Sequence, residues 1–375
     1  MHRTMKLIAT LAMIVMAALP VAAQTQQGDI VVAAGFVLSG PVAAYGEDAK
    51  IGVDLGVAEI NAKGGVNGRK VRVEYEDTGA DRAKAVALYR KFAARPDVTA
   101  FMSISTIELV ALDPVAEEAK LPLLSVGSAA PMAKFSPYTF RMQLIVNKAL
   151  PAVFSLLKEQ KGAKSISVIY DTVNNYNVGE MESVKAGVGP AGLELKAVES
   201  FSTGEQNFSL QLTRIAQSNP DLLYVAATTN EAALIISQAR ALGLKAHILG
   251  GAGLNDNRVF QLPGKAAHGI MTFFPFDAKD PRPVVQNFVK VYADKYKKEL
   301  PPAYVALGYD AIHLVVDAVK RAGSTDREAF RKTLAATDGY DGANGKFRYN
   351  GSGDNLEQRP HIFAYGEKGF ERISK

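Results

Sequence analysis

The fold is decided by Met102–Pro131, MSISTIELVALDPVAEEAKLPLLSVGSAAP. A strand ends in Ser103-Ile104-Ser105-Thr106, a helical run follows, a second short apolar strand begins after Leu121-Pro122, and small residues close the stretch. Two successive strands joined by a helix run parallel, so their two loops leave the same carboxyl-terminal sheet edge, where open α/β sheets hold ligands. Ser105 and Glu108 have the S-x-x-E spacing of a capping box, which sets the hydroxyls of Ser105 and Thr106 beside unpaired N–H groups at the positive end of the helix. Such an end accommodates an anion without help from lysine or arginine. The second loop, Ser125 to Pro131, carries small side chains that let backbone N–H groups approach a ligand. On these residues alone a plainer alternative stays open: two ordinary βα turns whose hydroxyls only cap helices.

Outward from this stretch the same alternation continues. Upstream, Ile30–Phe36 reads as a buried strand ended by Ser39-Gly40-Pro41, Tyr45–Lys63 as a helix stopped by Gly64-Gly65, Val71–Tyr75 as a strand and Asp81–Arg95 as a helix. Downstream, after a short strand at Tyr138–Arg141, helices at Asn147–Gln160, Val178–Val188, Phe208–Ser218 and Glu231–Leu242 alternate with strands at Ser165–Tyr170, Leu193–Ser200, Asp221–Ala226, Ala246–Leu249 and Gly269–Phe274. Thr228 with Glu231 makes a second capping box. Repeated β-α units of this kind build parallel sheets covered on both faces, and their recurrence in two halves predicts an α/β chain of two lobes of like architecture. Two long helices, Val284–Lys298 and Ala303–Ala322, a third opened by Thr325 and Glu328, and short strands at Gly345–Tyr349 and Ile362–Tyr365 complete the chain. The expected lobes are 28–143 with 275–344 and 146–272 with 345–375, joined by several strands that act as a hinge.

Composition narrows the compartment and the chemistry. Arg3 and Lys6 precede the apolar run Leu7–Ala18, followed by Pro20 and Val21-Ala22-Ala23. This is the layout of a secretory signal cleaved before Gln24, and the run falls short of the roughly 20 residues of a membrane span. Residues 1–23 are therefore read as a signal peptide, and the mature chain as periplasmic and unanchored. The chain contains no cysteine, so neither a lipid attachment nor a disulfide framework is expected. About 350 residues remain, enough for two domains with cores of their own. Without Arg3 and Lys6 the formal charge falls from +5 to +3, with basic residues too scattered for a nucleic-acid binder.

Enzyme signatures are missing. His2, His247, His268, His313 and His361 lie far apart, without metal-ligand spacing, and no G-x-S-x-G is present. Gly250–Gly253, Gly264-Lys265 and Gly345-Lys346 lack the further glycines of nucleotide loops. No metal or cofactor is expected. Hydroxyls and aromatics instead recur at strand tips: Tyr45, Ser105, Thr106 and Ser128 in the first half, Tyr176 and Thr228 in the second. Each alone suits a helix cap or a surface turn. Together on one edge they suit a small ligand held in a cleft.

Several longer motifs carry a resemblance. SGPVAAYG (39–46), EINAKGGVNG (59–68), Asp113-Pro114-Val115-Ala116 through Leu121-Pro122 to Ser125, Gln238-Ala239-Arg240 with Gly243-Leu244, GYDA (308–311) and Gly342–Phe347 occur in an order and spacing that resembles the periplasmic solute-binding proteins of the branched-chain amino acid class, receptors of ABC importers. The resemblance covers the whole mature chain. It implies two Rossmann-like, doubly wound lobes that close over a solute, with three crossover segments at the hinge, and an ABC permease as partner of a monomeric receptor. It also implies that Thr106 and the loop at Ser128-Ala129 hold the solute's carboxylate, that Tyr45, Tyr176 and Thr228 line the cleft, and that Phe274 supplies an apolar wall.

One departure bears on the solute. Relatives that bind amino acids place an acid in the loop after the Ala246–Leu249 strand, opposite the ammonium, whereas this chain has Gly251-Ala252-Gly253. An ammonium buried without a partner costs about 3–5 kcal/mol, more than two orders of magnitude in affinity. The expectation is a carboxylate lacking an α-ammonium, such as an aromatic or aliphatic acid. The alternative is that Asp256 or Glu231 reaches in and the solute is an amino acid. A sensor of the same fold signalling to a membrane kinase or regulator is the competing function.

Overall fold

The computed structural model describes residues 28–40, 42–128, 134–255, 257–297, 300–349, 351, 353–367 and 369–374. The signal segment, Pro41, Ala129 and Asp256 lie outside the described residues. The chain begins β1 (Ile30–Phe36), α1 (Ala43–Ala62), β2 (Val71–Asp77), α2 (Arg82–Ala93), β3 (Val98–Ser103), α3 (Thr106–Ala119), β4 (Leu123–Ser125) and β5 (Thr139–Arg141). These strands form a parallel sheet in the order β2-β1-β3-β4-β5. β1 and β3 are buried along their whole length, as expected of parallel strands covered on both faces.

The second half repeats the plan with α4 (Val146–Lys161), β6 (Ser165–Asp171), α5 (Asn175–Val188), β7 (Glu194–Phe201), α6 (Ser209–Ser218), β8 (Leu222–Ala226), α7 (Thr229–Ala241), β9 (His247–Gly250) and β10 (Met271–Phe274). The order β7-β6-β8-β9-β10 matches that of the first sheet. α8 (Pro283–Tyr296), α9 (Ala303–Ala322) and α10 (Arg327–Ala335) then return to the first lobe, a hairpin of β11 (Asp338–Gly342) and β12 (Gly345–Arg348) follows, and β13 (His361–Gly366) and β14 (Gly369–Arg372) add two antiparallel strands to the second sheet. The two Rossmann-like lobes are therefore joined by three crossings, after β5, after β10 and after β12. The first lobe extends further than the sequence suggests, because Phe347 and Tyr349 are buried in its core with α9 and α10. The chain crosses back only between Tyr349 and His361.

The family-like motifs have structural causes. Gly308 in α9 faces α1 so closely that a Cβ there would lie 2.0 Å from the Ala49 carbonyl oxygen, and one at Gly52 would lie 1.9 Å from that of Val305; the two helices pack backbone to backbone. Asp310, fully buried, accepts from the N–H groups of Ala343 and Asn344, each at 2.8 Å, and from Asn344 Nδ2 at 2.9 Å, which pins the hairpin to α9. Burial pushes its carboxyl up to about 6. Asn61 closes the turn after α1 by exchanging two 2.8 Å bonds with the Val71 backbone.

The capping predictions fare differently. Ser105 accepts from Glu108 N–H at 3.3 Å as expected. At α10 the cap is Asp326, accepting from Ala329 N–H at 2.9 Å, because Thr325 Oγ1 lies instead within 3.4 Å of Arg69. The crossings are tied to one another: Arg141, buried at the end of β5, donates through Nε and Nη2 to Asp354 Oδ1 at 2.9 and 2.5 Å, and its N–H donates to the Gly353 carbonyl at 2.7 Å.

Candidate functional site

The carboxyl-terminal edges of the two sheets face one another across a cavity of about 90 Å³. From the first lobe it is lined by Val37, Val42, Tyr45, Ala80, Ile104, Ser105, Thr106, Ile107, Gly127 and Tyr304, and from the second by Asn174, Tyr176, Asn177, Ala227, Thr228, Ala252 and Gly253. The lobes touch across its mouth. Tyr45 Oη lies 2.8 Å from Thr229 Oγ1, and Arg258 Nη2 lies 3.4 Å from Asp48 Oδ2. Side chains from both halves therefore meet beside the cavity.

One end is polar without a cation. Thr106 opens α3, is largely buried, and its Oγ1 lies 2.9 Å from Ser128 Oγ. The Glu108 N–H of this first turn is taken by Ser105 Oγ, while the N–H groups of Thr106 and Ile107, residues that line this end, have no partner within the helix and lie at its positive pole. Glu108, buried in the same turn, takes the Thr78 hydroxyl on Oε1, and burial pushes its carboxyl up to about 7.

The floor belongs to α5 and the loop after β9. Tyr176 O–H donates to Glu180 Oε1 at 3.2 Å while its oxygen accepts from Ala252 N–H at 3.2 Å. Ala252 itself opens a short 3-10 turn, Ala252–Leu254. The apolar wall is made by Tyr304, whose ring stands 4.9 Å from that of Tyr45, together with Val37, Val42, Ile104 and Ile107.

Of the residues expected from sequence, Tyr45, Ser105, Thr106, Tyr176, Thr228 and Ala252 line the cavity. Ser128 stands behind Thr106 as its hydrogen-bond partner. Phe274 sits one layer back, its ring 5.9 Å from Tyr304, in a small hinge space shared with Gln143 and Leu144. Glu231 does not reach in: its carboxylate accepts from the Thr228 hydroxyl and, at 3.1 Å, from Gly204 N–H. Thr228 spends its proton there and makes no side-chain cap to the helix it precedes. Tyr304, Asn174, Asn177 and the buried Glu180 were not singled out in the sequence. A search for aromatics at helix starts, as at Tyr45 and Tyr176, would have found Tyr304.

Among the described residues no three His, Asp or Glu are grouped to hold a metal, and no helix is long and apolar enough to cross a membrane. The arrangement enclosing the cavity is one of hydrogen-bond donors at one end, aromatic walls, and two lobes that meet over it.

Comparison with known proteins agrees. A family model described as periplasmic binding protein matches residues 29–368. The chain is 27% identical over 336 residues to Leu/Ile/Val-binding protein homolog 1 of Brucella abortus, covering 87% of each chain. It superposes on the leucine binding protein LivK of Thermotoga maritima with a TM-score of 0.83 at 28% identity, covering 92% of this chain and 98% of that one. Against the branched-chain amino acid transporter substrate binding protein LivJ of Streptococcus pneumoniae, in complex with isoleucine, the TM-score is 0.81 at 25% identity, with 92% and 100% covered. The chain belongs to the periplasmic binding protein family.

Proposed function

We propose that this protein is the exported receptor of an ABC importer, closing its two lobes over a small carboxylate and presenting the closed form to permease subunits in the inner membrane. The observation that carries this reading is the α3 end of the cavity, where Thr106, paired with Ser128 at 2.9 Å, and the first N–H groups of a helix converge. A carboxylate there gains charge-assisted hydrogen bonds. Its apolar remainder lies against Tyr45, Tyr304, Ile104 and Ile107. The solute touches both lobes, so it favours the closed state by the difference between its affinities for closed and open forms.

The relatives named for leucine, isoleucine and valine make branched-chain amino acids the first solutes to test. The Ala252 methyl group, standing where an acid could have stood, brings compact aromatic and aliphatic acids into the same set. The apolar run Leu7–Ala18 behind Arg3 and Lys6 supports export to the periplasm. The test is thermal unfolding with leucine, isoleucine, valine, benzoate and 4-methylpentanoate, each beside its primary amide. A bound acid at about 100 times its Kd adds about 2.7 kcal/mol of stability, and its amide adds none. Equal stabilisation by acids and amides would refute a carboxylate site.

A further inference from the structure

We propose that a second cavity, of about 390 Å³, is an accessory site for an aromatic anion that bridges the two lobes and so raises the affinity of the cleft for its solute. Tyr45 and Tyr304 line both cavities, and their paired rings form the partition between them. From the receptor reading this takes only that the lobes close over a solute.

By charge this cavity favours an anion. Arg258, Lys279 and Arg372 line it against two acids, Asp48 and Asp277. Each acid is matched by an arginine at 3.4 Å, Asp48 by Arg258 and Asp277 by Arg372, so the exposed Lys279 is the surplus charge. Ala303 opens α9 at the cavity wall and Pro302 before it supplies no side-chain cap, so the positive pole of a long helix adds to the cations. Asn255 Nδ2 is buried in the lining with no hydrogen-bond partner, and an unpaired buried donor calls for an acceptor on the ligand. Shape then selects among anions. Phe276, Phe363 and Phe370 stand in the walls with the two tyrosines, surfaces that a flat ring covers and a small inorganic ion leaves bare.

The walls come from both lobes. Asp48 on α1 and Pro302 before α9 belong to the first, Arg258 after β9 and Arg372 on β14 to the second, and Asp277 with Lys279 to the crossing after β10. Arg258 and Asp48 part when the lobes separate, so an anion held here has its full set of contacts only in the closed form. A ligand that binds the closed form better shifts the protein toward it. The coupling is reciprocal: the anion tightens the cleft solute by the same factor as the solute tightens the anion.

The experiment is isothermal calorimetry on the full mature chain, with 2-naphthoate as the probe and 2-naphthamide as its neutral match. With the cleft saturated by the solute that gives the largest thermal shift, one further molecule of 2-naphthoate should bind per chain, and the amide at least about tenfold more weakly. Titrated in the presence of the probe, the cleft solute should bind at least about fivefold tighter than in its absence. Lys279→Glu, an exposed change outside the lining of the first cavity, should weaken the probe about tenfold and leave the solute's own affinity within about threefold. The inference is overturned if the solute-filled protein takes up no probe, if the probe lowers the solute's affinity or leaves it unchanged, or if Lys279→Glu binds the probe as tightly as the wild type. None of these results bears on the carboxylate end, which the acids and amides titrated into the cleft decide.

Discussion

Thr106→Ala is the perturbation that most directly probes the anion end. Thr106 Oγ1 is buried in the cavity wall and held 2.9 Å from Ser128 Oγ, so it meets a carboxylate already oriented. A hydrogen bond to a charged group contributes about 1.5–3 kcal/mol, which corresponds to an affinity loss of about 10- to 150-fold. The helix N–H groups survive the substitution, so binding weakens and is not abolished. Thr106→Ser keeps the oxygen and should stay within about threefold of the wild type. Isothermal calorimetry with the solute that gives the largest thermal shift measures both variants. Affinity unchanged in Thr106→Ala, or lost equally in Thr106→Ser, would show that the hydroxyl does not hold the acid.

Three further outcomes follow from the same geometry. Tyr45→Phe removes the hydroxyl that meets Thr229 across the closed cleft; the loss, about 0.5–1.5 kcal/mol, should fall on the dissociation rate in stopped-flow measurements, and an effect confined to association would contradict it. Asp354→Ala leaves the buried Arg141 guanidinium without its carboxylate and should cost about 3 kcal/mol or more in urea denaturation; a cost under about 1 kcal/mol would show that this pair does not brace the hinge. Glu108 has a folded pKa near 7, above its ordinary 4.5, owing to burial, so its contribution to stability is greatest below pH 4.5 and is lost as pH rises to 7. Glu108→Gln should therefore match the wild type near pH 5 and exceed it by about 1–3 kcal/mol at pH 8, and parallel pH profiles would refute this.

Much of the architecture was legible because parallel strands buried on both faces read as unbroken apolar runs, as in Ile30–Phe36. The α3 end of the cavity was legible for a local reason: a capping box and the loop after the next strand fix Ser105 and Thr106 within a few residues of sequence. What escaped was set by distance along the chain. Tyr304 joins the cavity only because the chain returns through α9, more than 250 residues after Tyr45. Glu180 looked like one polar position on an amphipathic helix, and only Gly251, Tyr176 and Tyr224 folded around it turn that position into a buried acid. Ser128 and Phe274 stand one layer behind the cavity lining, against Thr106 and Tyr304, a detail that loop spacing alone does not fix. β14 was missed because Gly369–Arg372 is half-exposed and short, with pairing to β13 as its only reason to be a strand.

The most direct measurement is a crystal structure of the protein with its solute bound. The account predicts the solute's carboxylate oxygens about 3 Å from Thr106 Oγ1 and the first N–H groups of α3, with both lobes in contact with the rest of the molecule. A solute whose apolar end occupies that position, or one bound to a single lobe outside the cavity, would contradict it.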